Sequence, residues 1–204
     1  MAPSRTLGTR DFDLTSDELR EVARFVVWHA EDVLAVFELA VLGDHRPRAA
    51  IDAAWAFIHG ANRTRLQRVT SLDAHRAARS APSEAARLAG RSAGDAASAA
   101  YLHPIAQANQ VGHILRASAS VARIGEIDAG GDPAVADALL ERSRERATPV
   151  LIDVLRRYPA ATSSSSRVGQ LMSTLHHLLL QPPDRSPGGT ALSPTDAGSG
   201  GGAS

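Results

Sequence analysis

Asp44-His45-Arg46-Pro47-Arg48-Ala49-Ala50-Ile51-Asp52-Ala53-Ala54-Trp55 is the stretch that decides how the chain is read. Pro47 suits the start of a helix, where its missing N–H is no loss and its fixed φ is already right. Asp44 stands just ahead, where free N–H groups and the positive helix end favour a carboxylate cap. Ile51, Ala54, Trp55 and Ile58 then fall at i, i+3, i+4 and i+7, one apolar stripe, so the segment opens a helix with Trp55 in the core. Arg48 and Asp52 are four apart beside that stripe, and Arg46 precedes it. These charges are either solvated groups at a helix start or an arginine–carboxylate network that fixes how the helix meets its neighbours. Arg48 is placed to reach Asp52 within the helix and Glu38 across the preceding turn. Two arginines beside Trp55 and a long helix flank imply that the Arg48–Glu38 contact is enclosed.

On the N-terminal side, Thr15-Ser16-Asp17-Glu18 is a helix-start signal. Leu19, Val22, Ala23, Val26, Ala30, Val33, Leu34, Phe37 and Val41 carry one stripe from it to about residue 41. Residues 1–14 read as a flexible arm that docks through Phe12 and Leu14. On the C-terminal side, Gly60 ends the second helix, a third covers about 66–79 with Arg68, Leu72, His75 and Arg79 on one ridge, and a fourth runs from Ser83-Glu84 to about Tyr101. The fourth has a row of small residues, Ala85, Ala89, Ser92, Ala96 and Ala100, and a second ridge of Glu84, Arg87, Arg91 and Asp95. His103-Pro104 is expected to open the fifth helix, to about Ile127, with Asn109, His113, Arg116 and Ser120 on one flank. Gly130-Gly131-Asp132-Pro133 breaks the chain before a sixth helix that Pro149 must kink or divide. Val168, Leu171, Met172, Leu175, Leu178 and Leu179 give a last short amphipathic helix, and beyond Gln181 no core-forming pattern remains. No strand alternation occurs, and short loops join long helices. The predicted fold class is all-α, a single-domain antiparallel bundle of six or seven helices with disordered tails. Its divisions are a flexible arm at 1–14, the bundle at 15–160, a linker and short amphipathic helix at 161–180 and a disordered tail at 181–204.

Composition narrows the function. The chain has 204 residues, 44% hydrophobic with 4% aromatic, so its core rests on alanine and aliphatics. Twenty-two bases balance twenty-two acids, and every base is arginine, a planar donor that pairs carboxylates bidentately. Zero net charge argues against a general nucleic-acid binder. No cysteine is present, which excludes disulfides, thiol nucleophiles and cysteine zinc sites. No apolar run approaches membrane-spanning length and the N-terminus carries no apolar signal region, so the expected compartment is the bacterial cytoplasm.

The motifs of enzymes are missing. There is no Glu-x-x-His pair for a di-iron site, no His-Glu-x-x-His and no nucleotide loop, and the Gly-x-Ser-x-Gly spacing at Gly90-Arg91-Ser92-Ala93-Gly94 falls inside the fourth helix with no strand before it, so it makes no nucleophile elbow. His176 and His177 are adjacent and diverge on a helix. The sequence therefore assigns no catalytic, cofactor or metal residues. What remains is a candidate polar cluster of Glu38, Asp44, Arg46, Arg48, Asp52, Trp55, His75, Arg79, Arg91 and His113, which either lies on solvated faces and structural pairs or forms a site.

Leu34-Ala35-Val36-Phe37-Glu38, the Gly43–Ala56 segment around Arg46-Pro47-Arg48, Ala74-His75-Arg76-Ala77-Ala78-Arg79 and Glu84–Arg91, in that order, resemble the immunity proteins with an Imm-5-like domain that accompany bacterial polymorphic toxins. The resemblance covers about residues 18–125. It implies a helical interaction protein that binds and blocks a protein partner such as a cognate toxin, without enzymatic activity. Short chains of this kind also carry an SbcC-type exonuclease label, but the nucleotide loop and very long coiled coil of such a subunit are absent. Two other readings stand beside this one. One is an enzymatic or small-molecule-binding domain whose polar pocket uses His75, His113 and Glu38; the other is a structural homodimer subunit.

Overall fold

A computed structural model describes residues 12–160 and 164–181. They form eight helices: α1 (Ser16–Ala40), α2 (Arg46–Ile58), α3 (Arg65–Ser80), α4 (Glu84–Ala99), α5 (Ala108–Asp128), α6 (Pro133–Glu145), α7 (Pro149–Arg156) and α8 (Arg167–Leu180). No β-strand occurs among the described residues. The all-α bundle expected from the sequence is present. The expected arm before residue 12, linker at 161–163 and tail after 181 lie outside the described residues.

Local chemistry sets most of the helix starts. Thr15 and Glu18 form a reciprocal capping box on α1, with the Glu18 amide donating to the Thr15 hydroxyl at 3.2 Å and the Thr15 amide donating to the Glu18 carboxylate at 2.8 Å. Thr64 and Gln67 repeat the device on α3, and Ser83, Asp132, Thr148 and Ser166 cap α4, α6, α7 and α8. Pro149 divides the expected sixth helix in two, because it starts α7 behind the Thr148 cap while α6 stops at Glu145.

The fifth helix departs from the sequence reading. It begins at Ala108, not at His103. Residues 103–107 stay non-helical because their backbone groups have other partners. The Phe12 amide donates to the Pro104 carbonyl at 3.1 Å, the Tyr158 hydroxyl to the His103 carbonyl at 2.8 Å, and the His103 amide to the Gln110 side chain at 3.1 Å. The Phe12 ring stands edge-on to Tyr158 at 4.8 Å, so this segment ties the start of the described chain to the end of α7.

Helix α4 occupies the middle, packed against α1, α2, α3 and α5. It can do so because most of its buried positions are small, among them Ala86, Ala89, Gly90, Ala93, Gly94, Ala96 and Ala97. At Gly90 a methyl group would stand 3.0 Å from both the Ala78 side chain and the Phe37 ring, so α1, α3 and α4 meet there at backbone distance. The larger core side chains come from the flanking helices, among them Val22, Phe37, Ile51, Ile114, Leu115 and Leu140. His29 is among the polar groups locked into this core, with its Nδ1 2.7 Å from the Phe25 carbonyl and its Nε2 3.0 Å from the Ser143 hydroxyl. A neutral ring that donates from Nδ1 and accepts from Ser143 satisfies both contacts, and burial pushes its pKa down to about 4.

The sequence reading ends the bundle near residue 160, but α8 packs on α5 and α6 and buries Leu171, Leu175 and Leu179 in the common core. Its removal therefore uncovers α5. Leu175→Ala is expected to lower stability by ~2–5 kcal/mol in a single cooperative denaturation transition. A loss near zero, or a separate early transition, would show that α8 is an appendage.

Candidate functional site

The ten candidate residues separate into two clusters. The first lies where α1 ends and α2 begins. The Arg48 guanidinium on α2 donates to the Glu38 carboxylate on α1 through Nε at 2.7 Å and Nη2 at 2.8 Å, a two-point fork that aligns the two helices. Asp44 accepts the Arg46 backbone N–H at 3.2 Å and the Arg46 Nε at 2.8 Å, though His45 rather than Asp44 occupies the cap position. Arg48 holds the Glu38 carboxyl below its ordinary range, and Arg46 does the same for Asp44.

Three expectations are corrected here. The Arg48–Glu38 pair is not enclosed, since 51% of the Arg48 side chain and 30% of the Glu38 side chain are exposed. The turn between the helices sits at an open end of the bundle, where Leu39 and Leu42 are also exposed. Asp52 is exposed and leaves Arg48 to Glu38. Trp55 is half-buried rather than fully in the core. It stacks on His59 at 5.3 Å and its indole N–H donates to Glu31 at 2.7 Å, because a tryptophan at a helix flank keeps its polar edge toward an acceptor.

The second cluster is built differently. Asp95 on α4 is completely buried, and Arg116 on α5 donates Nη1 to its two oxygens at 3.0 and 3.4 Å. His75 on α3 places Nε2 3.8 Å from the same carboxylate. Two glycines make room for these groups. A methyl at Gly94 would meet the His75 ring at 2.8 Å, and one at Gly112 would meet the Arg116 guanidinium at 2.8 Å. The Ser71 hydroxyl donates to the Gly94 carbonyl at 2.8 Å and pins α3 to α4 beside them. Burial pushes the Asp95 carboxyl up to about 6 against the opposing pull of Arg116 and Arg91. Burial first, and then the Arg116 charge, press His75 down to about 4, and the same two causes lower His113. The Nδ1 of His113 is buried with no hydrogen-bond partner among the described residues.

Above this floor opens a recess of about 640 Å³ lined by His75, Ala78, Arg79, Glu84, Arg87, Leu88, Arg91 and Arg116. The structure thus brings His75, Arg79 and Arg91 together, sets His113 on the neighbouring helix, and leaves Glu38, Asp44, Arg46, Arg48, Asp52 and Trp55 at the other cluster. The reading of the sequence does not include Asp95, Arg87 or Arg116 among its candidates. The signal for Asp95 is a lone acid inside the run Ser92–Ala100 of otherwise small, uncharged residues. A carboxylate there has to be either solvent-facing or paired. Among the described residues no three acid or histidine side chains converge as a metal-holding group. The recess instead presents guanidinium donors.

Architecture and clusters together define an all-helical bundle that carries arginine-rich surfaces and a recess between three of its helices. A family model described as Imm-5 like putative immunity protein matches residues 13–118, just over half of the chain. The chain belongs to that family, and the match spans both clusters, from the start of α1 to Arg116 and just beyond. No curated protein and no solved structure matches the chain.

Two measurements follow from the contrast between the clusters. A double-mutant cycle on Glu38 and Arg48 is expected to give a coupling of at most ~1 kcal/mol, because both groups reach water. A coupling of several kcal/mol would contradict the exposure. Arg116→Ala strands a buried charge and should cost ~3–5 kcal/mol at pH 8. The folded-state pKa of Asp95 lies above its unfolded value, so its neutral form is favoured by folding and stability from that group is regained as pH falls through about 6 toward 3.8. Arg116 pulls that pKa down, so its removal raises it further and the variant regains more stability than the wild type on acidification; the Arg116→Ala penalty, measured against the wild type by denaturation, should shrink between pH 8 and pH 5, and a penalty that is constant or larger at pH 5 would refute this.

Proposed function

We propose that the protein is a non-enzymatic immunity protein that neutralises a cognate toxin by direct binding, with the outer side of α3 as the contact. Membership of the Imm-5-like family supports the toxin as partner. The observation that carries the contact is the exposed apolar side of α3. Leu66, Val69 and Leu72 are 52%, 40% and 51% exposed, three large aliphatics on one helix. The opposite side of that helix buries Ser71, Ala74, Ala77 and Ala78 against its neighbours, so α3 is amphipathic in a normal way and the three aliphatics are surplus to the core. Neighbouring exposed aliphatics with a charged surround are the usual mark of a protein contact. Arg65, Arg68, Asp73 and Arg76 supply that surround.

The arginine–carboxylate pairs at the α1–α2 corner have a supporting role in this reading. They hold α2 against α1, and α2 carries one side of α3. A preformed surface loses little conformational freedom on binding, which favours affinity. No helix among the described residues is long and apolar enough to cross a membrane.

The test is Leu66→Asp with Leu72→Asp. Exposed positions change stability little, within ~0.5 kcal/mol. If each aliphatic contributes ~2 kcal/mol to the contact, the double variant loses on the order of 100-fold or more in affinity for a toxin encoded beside its gene, and fails to rescue growth of cells that express that toxin. Calorimetry with the purified pair reads this directly. Unchanged affinity in the double variant would remove α3 from the interface; absence of any binding between the wild-type pair would remove the proposal itself. A wild-type chain that is dimeric, and that becomes monomeric in the variant, would assign the aliphatics to self-association instead.

A further inference from the structure

The recess between α3, α4 and α5 has more positive charge than the fold uses. Arg79 enters from α3, Arg87 and Arg91 from α4, and Arg116 from α5. Both acids near them are already committed. Glu84 is held by Arg123 at 2.9 and 3.2 Å, and Asp95 lies beneath the floor on Arg116. Most described arginines hold a carboxylate, as Arg20, Arg46, Arg48, Arg144 and Arg167 do. Arg79 and Arg91 make no ion pair and donate no side-chain hydrogen bond among the described residues, and Arg87 donates only to the Ala81 carbonyl at 3.3 Å. In a chain of zero net charge this local excess is a property of the site and not of the composition.

The donors are also arranged to stay together. Asp95 fixes Arg116, Gly112 lets its guanidinium lie against the α5 backbone, and Gly94 seats the His75 ring beside it. Like charges brought together on three rigid helices repel one another unless an anion joins them. Ala78 and Leu88 give the wall an apolar strip where an uncharged part of a ligand can rest. A volume of about 640 Å³ lies within the usual range for a small-molecule site, ~300–1,000 Å³.

We propose that this recess binds a small molecule bearing a phosphate monoester, with Arg79, Arg91 and Arg116 donating to the phosphate oxygens and His75 bordering it. Guanidinium forks match phosphate oxygens in pairs, and several of them around one dianion account for the uncompensated charge. The site is separate from the Leu66–Leu72 surface and does not require the toxin contact, although Leu72, His75 and Arg79 follow one another along α3.

Inorganic phosphate and phenyl phosphate are the probes, titrated into the full chain by calorimetry and by thermal melting. Succinate tests a carboxylate ligand, and sodium chloride at matched ionic strength tests plain screening. Both phosphates should bind saturably and raise Tm, with phenyl phosphate the tighter. Arg79→Gln and Arg91→Gln, each at an exposed position, should keep the fold and weaken phosphate binding by at least ~10-fold. The uncharged Leu66→Ser/Leu72→Ser variant, which adds no carboxylate beside the recess, should lose toxin affinity and bind phosphate as the wild type does, so loss of toxin binding and loss of phosphate binding remain distinguishable. The proposal is overturned if phosphate gives no saturable binding at millimolar concentration, if chloride raises Tm equally, if succinate binds more tightly than phosphate, if the glutamine variants bind unchanged, or if only an acidic segment of a protein partner occupies the recess.

Discussion

A carboxylate without solvent contact is the constraint that orders this molecule. Asp95 sits on the central helix, among residues chosen for smallness, and a charge there is tolerable only if donors reach it. Arg116 reaches it from α5 and His75 borders it from α3. Each of those side chains needs a glycine to lie where it does. A shift of α3 or α5 along α4 by one residue would separate the groups and leave the charge unpaired. The pair need not raise stability over an apolar substitute, since desolvation offsets much of the attraction. What it contributes is register among three helices, and with it the shape of the recess above.

The two arginine clusters act at different depths. At the α1–α2 corner the Arg48–Glu38 fork lies in water, so it guides helix alignment without adding much free energy. Around Asp95 the same kinds of groups work in a drier setting. There burial moves the acid's pKa up and that of His75 down, which places a mostly ionised carboxylate beside a neutral imidazole at neutral pH. The recess is therefore positive through its arginines alone. The exposed aliphatics of α3 begin one turn away from it, so an anion-binding recess and a surface suited to a protein partner share one helix.

Helix periodicity and capping residues made the bundle legible in the sequence. Thr15 with Glu18, Ser83, Asp132 before Pro133, and Pro149 all act as their chemistry requires. The late start of α5 was not legible, because it depends on Phe12 and Tyr158, which are distant in the chain and claim the backbone of residues 103–107. Trp55 and the Arg48–Glu38 pair show the limit of stripe arguments. Spacing tells which residues share a face, but not whether a neighbouring helix covers it, and here α2 leaves that flank open. Asp95 shows the converse. Its ridge with Glu84, Arg87 and Arg91 was visible, yet the ridge divides between solvent and core, and only the packing of α5 decides which member is buried. His75, Arg79 and Arg91 were recognised as polar candidates, while the group that holds their neighbour Arg116 was hidden among alanines.

The most direct test is a carboxyl-carbon NMR titration of the folded protein that follows Asp95. A fully buried acid that keeps its partners and anchors three helices should titrate near pH 6, above every exposed aspartate, and its resonance should be lost in Asp95→Asn. A midpoint at or below the ordinary aspartate range, ~3.9, would contradict the balance described here, in which burial outweighs the pull of Arg116 and Arg91.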